Sequence, residues 1–303
     1  MKKKILITQP QFTKHQVFDE SVLDILKKKY DVVFINKKNK YPYILERILS
    51  ITFMIKITLL SYKYDNIVLL SYDHLSLLFF RPKNNSYVFI HNSCTNIINK
   101  NFLSNIYKFY SNKLTFVSLS ESMHLFFLSL NIDTPMINHP IVIDKNKIPK
   151  YPTFYKIAVL NSEVKKNDLE YIQTKCIANK FKVFMKYKDN YQSKYLHMFK
   201  IVDNMHSIIN NSDFIIIPKQ YNYRVSCIAY ETVYLNKFLF IKNCFFAHEI
   251  KKQFPKFVYI YNHIDEIFEL IANNQSIKDN IDISNDINSY NKKISENLYS
   301  LIN

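Results

Sequence analysis

The sequence predicts an α/β protein of two successive parallel-sheet domains, and three features carry the prediction. Short apolar runs rich in β-branched and aromatic residues alternate with helix-length segments along the whole chain. Midway, the segment Asp133–Pro152 carries four prolines and several lysines, and the same alternation restarts after it. The 303 residues are 48% hydrophobic and 22% charged, enough to bury two cores. Strands separated by helices imply right-handed crossovers and parallel sheets covered on both faces.

In the first half the strands are Lys4–Thr8, Val32–Ile35, Ile67–Leu70, Tyr87–His91 and Leu114–Leu119, each a nearly uninterrupted apolar run. Helix-length segments lie near residues 15–29, 43–63, 73–80, 97–111 and 121–130. In the second half the strands are Lys156–Leu160, Lys182–Met185, Phe214–Ile217, Leu239–Ile241 and Val258–Tyr261, with helices near 165–179, 193–211, 226–236, 247–253 and 264–273. The layout is that of two Rossmann-like domains facing each other across a cleft. The first spans residues 1–135, a linker covers 136–153, and the second spans 154–275. In the remaining 276–303, a polar Asn/Asp-rich stretch leads to a terminal helix over Tyr290–Ile302 that returns to the first domain.

The chain contains no glycine and no tryptophan. A Walker A loop, a G-x-G-x-x-G fingerprint, an EF-hand and a G-x-S-x-G elbow all need glycine, so these classes are excluded. Asparagine tolerates the left-handed region best among residues with a β-carbon, and Asn84–Asn85 and Asn210–Asn211 suit that use. Cys94, Cys176, Cys227 and Cys244 are far apart in sequence and read as free thiols of a reducing compartment. MKKK begins like a signal peptide, but the apolar run Ile5–Ile7 is too short for one, which predicts a cytoplasmic protein.

Net charge is +16, and the first 150 residues hold 21 Lys and Arg against 10 acids while the rest hold 20 against 15. Codon-driven lysine enrichment explains part of this, and anionic substrate groups or an anionic membrane face suit the remainder. Nucleic acid is not an expected partner, because no helix-turn-helix, zinc-finger or RNA-recognition pattern is present. Between Tyr43 and Tyr64, large apolar residues are interrupted by Glu46, Arg47, Lys56 and Lys63, which rules out a spanning helix. Two roles suit this segment: an amphipathic helix at a headgroup surface, or a helix covering one sheet face.

The stretch Asp213–Ile241 is the most informative for function. The run Phe214–Ile217 stops at Pro218, a polar loop follows, and Ser226 opens a helix carrying one acid, Glu231, before the next apolar run. Loops leaving the carboxyl ends of parallel strands form the ligand crevice, so Arg224, Ser226 and Glu231 would border a pocket. No D-x-D triplet occurs, and neither a metal nor a cofactor is expected.

The order and content of these segments resemble the GT-B glycosyltransferases, in particular the family 4 retaining enzymes that use nucleotide-sugar donors. The family's His-Asp pair after the fourth strand falls on His91 and Asn92 in VFIHN. Its diphosphate-binding Arg and Lys fall on Asn161 and Lys166 in IAVLNSEVKKND, with Lys165 adjacent. Its Glu-x7-Glu falls on Tyr223 and Glu231, the second being the ribose ligand, and a further acid matches Glu249 in FFAHEI.

Where the family Arg is replaced by Asn161, Arg224 offers a guanidinium for the diphosphate. The resemblance implies transfer of a sugar from a nucleotide-diphosphate donor, a co-substrate, to a cell-surface polysaccharide or lipid-linked glycan. His91, Lys166 and Arg224 would be catalytic, and Glu231, Asn161, Lys165, Tyr223, Ser226 and Glu249 would bind the donor. A non-catalytic scaffold and a nucleotide-sugar epimerase are the alternatives.

Overall fold

The computed structural model describes residues 2–9, 16–36, 42–82, 84–91, 93–100, 102–141, 143, 148–149, 153–160, 164–202, 204–273 and 284–303. The chain divides into two compact units, Met1–Val142 with Tyr223–Val225 and Tyr290–Asn303, and Ile143–Asn222 with Ser226–Ser289. Both are α/β, as the sequence predicts.

The first unit carries the parallel strands β1 (Lys4–Gln9), β2 (Asp31–Asn36), β3 (Asn66–Leu69), β4 (Asn85–Ile90) and β5 (Thr115–Ser118), in spatial order β2-β1-β3-β4-β5. Register places Ile5 beside Val32 and Leu6 beside Ile67. Helices α1 (Gln16–Lys29), α2 (Tyr43–Leu60), α3 (Ser93–Asn99), α4 (Phe102–Ser111) and α5 (Glu121–Ser129) make the connections. Ile5, Leu6, Ile7, Val68, Val88 and Phe89 are fully buried, as strands covered on both faces require. The expected helix over 73–80 is only a 3-10 turn, Ser76–Phe79, anchored where the Asp73 carboxylate accepts from the Leu75 and Ser76 amides. The expected helix over 97–111 is two helices, α3 and α4.

Residues 136–142, expected within the linker, group with this first unit. Met136 bridges Ser118, with the Ile137 amide donating to the Ser118 carbonyl at 2.9 Å. The terminal helix α11 (Ser284–Ile302) starts earlier than the expected Tyr290. Its Ile294, Leu298 and Ile302 lie in the first unit's core, and Asn66 Nδ2 donates to the Ile302 carbonyl at 2.9 Å, satisfying one of the orphan acceptors at the helix end.

The second unit carries β6 (Tyr155–Val159), α6 (Lys166–Ala178), β7 (Val183–Lys186), β8 (Tyr191–Gln192), β9 (Leu196–Phe199), α7 (Met205–Asn210), β10 (Ser212–Ile217), α8 (Cys227–Tyr234), β11 (Phe238–Lys242), α9 (Phe245–Gln253), β12 (Val258–Tyr261) and α10 (Ile264–Asn273). Spatial order is β12-β11-β10-β6-β7-β9-β8, parallel except for the β8–β9 pair. The helix expected over 193–211 begins only at Met205. Before it, β9 pairs with β7 and buries Leu196 and Met198, a tertiary gain that overrides the helical reading of a Lys- and Met-containing segment.

With no glycine available, left-handed residues need another source. Among the described residues they are Asn131, Lys180 and Asn236, not Asn84–Asn85 or Asn210–Asn211. All three sit just past a helix, after α5, α6 and α8. Each makes the paired bonds of a Schellman turn, for example Phe181 N to Cys176 O at 3.0 Å and Lys180 N to Ile177 O at 3.2 Å.

Candidate functional site

In the second sheet the chain order reverses between β6 and β10, the topological switch point at whose carboxyl edge α/β sheets generally bind ligands. The loop after β6 leads into α6, whose first turn carries Lys166 with Lys165 as the flanking cap residue. Both lysines are exposed, and Lys166 Nζ makes only a 3.9 Å approach to Glu170 on its own helix. The unsatisfied amides of the first turn make this a site favouring anions. Tyr261, at the end of β12, places that turn beside the strand ends. Its hydroxyl lies 3.5 Å from the Ile217 carbonyl, and burial first, then the charge of Asp168, pushes its acidity far down.

The loop after β10 leads to Ser226 and α8. Ser226 is buried at the cap position and makes no capping bond with its side chain. Glu231 is 6% exposed, and a buried carboxylate needs a partner. His206, in the first turn of α7, supplies it, with Nε2 3.2 Å from Glu231 Oε2. Helix α7, six residues long, leads directly into the amino end of β10. Asn204 caps it, accepting from the Ser207 amide at 2.9 Å. The hydrogen bond to Glu231 raises the His206 pKa above its usual value, against the opposing effect of burial.

Further along the same edge a chain of amides ties the loops together. Gln220 Nε2 donates to the Asn243 carbonyl at 2.8 Å, Asn243 Nδ2 donates to Asn262 Oδ1 at 2.9 Å, and His248 Nε2 lies 2.9 Å from Asn243 Oδ1. Glu249, on α9 next to His248, is half-buried. The Phe246 amide, in the first turn of α9, donates to the Tyr221 carbonyl at 3.3 Å.

Of the residues singled out from sequence, Lys165, Lys166, Ser226, Glu231 and Glu249 thus lie on elements leaving the carboxyl edge of the second sheet. Tyr223 and Arg224 group with the first unit instead. There the Tyr223 ring packs on Phe126 at 5.4 Å and Arg224 Nη2 donates to Thr95 Oγ1 at 3.3 Å. His91 also lies in the first unit, immediately after β4, with its ring edge-on to Phe18 at 4.8 Å. Phe18 in turn meets the buried His139 at 4.9 Å. Asn92 and Asn161 lie outside the described residues. Sequence reasoning missed His206. The available signal was a lone histidine on the helix before FIIIP, facing an acid on the helix after it.

Among the described residues no three His, Cys, Asp or Glu side chains cluster as metal ligands, and no helix is long and apolar enough to cross a membrane. The four cysteines are free thiols, and burial raises the Cys94 pKa to about 12.

No protein-family model and no curated protein matches the chain. Solved structures do. A UDP-N-acetylglucosamine 2-epimerase from Rickettsia bellii is similar over 100% of this chain and 97% of its own, at 15% identity and a TM-score of 0.60. Anabaena Alr3699/HepE in complex with UDP-glucose is similar over 98% and 100%, at 12% identity and a TM-score of 0.61. A glycosyltransferase from Rickettsia africae ESF-5 is similar over 99% and 94%, at 12% identity and a TM-score of 0.54. At such identities the likeness is one of architecture, and the architecture is GT-B.

Proposed function

We propose that the chain binds a nucleotide-diphosphate sugar at the carboxyl edge of its second sheet and transfers the sugar to a cell-surface polysaccharide or lipid-linked glycan. The observation that carries this is Glu231, buried on the helix that follows β10 and held by His206. A carboxylate fixed there can accept both hydroxyls of a ribose, as the resemblance to the family 4 transferases implies. The amino end of α6, with Lys165 and Lys166, suits the diphosphate.

Glycosyl transfer passes through an oxocarbenium-like state while negative charge grows on the departing diphosphate, so fixed cations and helix amides lower the barrier directly. Asn161, Ser226 and Glu249 would complete the donor contacts, and Tyr223 stands where the family's first Glu would be. In the first unit, His91 is the proposed acid/base or sugar-binding group and Arg224 a further cation. A lipid-linked acceptor would put the enzyme on the inner face of the cell membrane. The similar structures include a complex with UDP-glucose, which supports a nucleotide-sugar ligand.

A second reading is favoured by the full-length match to an epimerase, which would convert the donor alone. Incubating UDP-, GDP-, ADP- and CMP-sugars with and without glycan acceptors separates the two. Acceptor-dependent release of nucleotide supports transfer, and an epimeric sugar formed without acceptor supports epimerisation. Absence of any nucleotide-sugar binding would leave a non-catalytic scaffold.

A further inference from the structure

Helix α2 is apolar on both faces. Ser50, Met54 and Ile57 are buried inward, while Ile44, Ile48, Ile55 and Leu59 form one outward stripe, with Ile44 74% and Leu59 69% exposed. At 1.5 Å per residue that stripe runs about 22 Å. A soluble helix normally turns charge to that side, and an extended exposed apolar ridge marks a docking surface.

The ridge continues onto neighbouring elements of the same unit. Thr58 Oγ1 accepts from the Arg81 amide at 3.0 Å and lies 3.4 Å from the Phe79 carbonyl, and Phe79 and Leu78 are exposed. Tyr110 donates to the Leu78 carbonyl at 3.2 Å, and beside it Phe109 is exposed with Lys113 over its ring at 5.1 Å. A shallow concavity of about 390 Å³ lies between Arg81, Asn84, Asn85 and Lys113.

Charge identifies the occupant. Residues 44–63, 76–82 and 98–113 contain Arg47, Lys56, Lys63, Arg81, Lys100, Lys108 and Lys113 against one acid, Glu46, and of these cations Arg47 lies 3.9 Å from Asp73. A second copy seated here would set these cations against their own kind. An anionic bilayer instead takes the apolar stripe at the acyl boundary and the cations at its phosphates. We infer that this face of the first unit is a peripheral docking surface for an anionic membrane, with the stripe of α2 inserted into the headgroup layer and Arg81 and Lys113 placed to hold a phosphodiester headgroup. The inference extends the acceptor reading above without depending on it.

The test is flotation of the full chain with vesicles of phosphatidylcholine alone or mixed with phosphatidylglycerol. Binding is expected to the mixed vesicles only, and to weaken as salt is raised. Replacing both Lys56 and Lys63 with Gln should lower partitioning roughly 25-fold, about fivefold for each cation. Ile48→Glu with Leu59→Glu should abolish binding while leaving thermal unfolding and any nucleotide-sugar binding unchanged, which keeps this test separate from the functional one. Equal binding to neutral vesicles, or none to either, overturns the inference. So does concentration-dependent self-association in light scattering that the same double variant removes, which would give the face to a second copy.

Discussion

The ion pair between His206 and Glu231 should make the stability of the second unit depend on pH in a defined direction. At 3.2 Å and an effective dielectric of about 20, the attraction is about 5 kcal/mol before desolvation. Glu231 is nearly buried while His206 keeps about a quarter of its side chain in water, so desolvation offsets roughly half and leaves a coupling of about 2.5 kcal/mol. The folded-state pKa of His206 lies above its unfolded value. The stabilisation is therefore complete below the unfolded value of about 6.5 and is lost as pH rises through the raised folded value.

A double-mutant cycle of His206→Ala and Glu231→Gln, followed by urea unfolding, reads the coupling. It should be near its full size at about pH 6 and become smaller as pH rises through the raised folded value, down to what the neutral imidazole's hydrogen bond retains. A coupling of the same size below and above that value would refute the reasoning, because a neutral contact does not titrate.

Other substitutions test other parts of the account. Lys180 is exposed in the left-handed region, and Lys180→Gly should stabilise the second unit by about 0.5–1 kcal/mol, since relief of the β-carbon clash exceeds the added chain entropy. A loss of stability on calorimetry would contradict the Schellman assignment. Leu298→Ala, at a fully buried position of α11, should cost the first unit about 3 kcal/mol in denaturant unfolding, whereas a surface helix would lose almost nothing. Arg224→Ala should raise the Kd for a nucleotide-sugar if its guanidinium serves the diphosphate. An unchanged Kd confines Arg224 to its contact with Thr95.

The strands were legible because both sheets are covered on both faces, which turns Ile5–Ile7 and Phe214–Ile217 into continuous apolar runs that few other structures need. The alternation of runs and helices then implied parallel order, and hence a crevice at carboxyl ends. Strand β9 was hidden because its stability comes from pairing with β7, which no local pattern records. The left-handed positions escaped for a related reason. Asparagine is so frequent that its presence marks no site, and one such position is a lysine fixed by a helix end rather than by its own preference. His206 was silent because its partner stands on a different helix, 25 positions along the chain. The grouping of Tyr223 and Arg224 with the first unit could not be read from their proximity in sequence to Ser226.

The central claim is that Glu231 holds the ribose of a nucleotide-sugar. Calorimetric titration of UDP-glucose into the wild-type chain and Glu231→Gln tests it most directly. Loss of a charge-assisted hydrogen bond worth about 1.5–3 kcal/mol predicts a Kd raised roughly 10- to 150-fold, with both proteins folded. Equal affinity in the two proteins would contradict the claim.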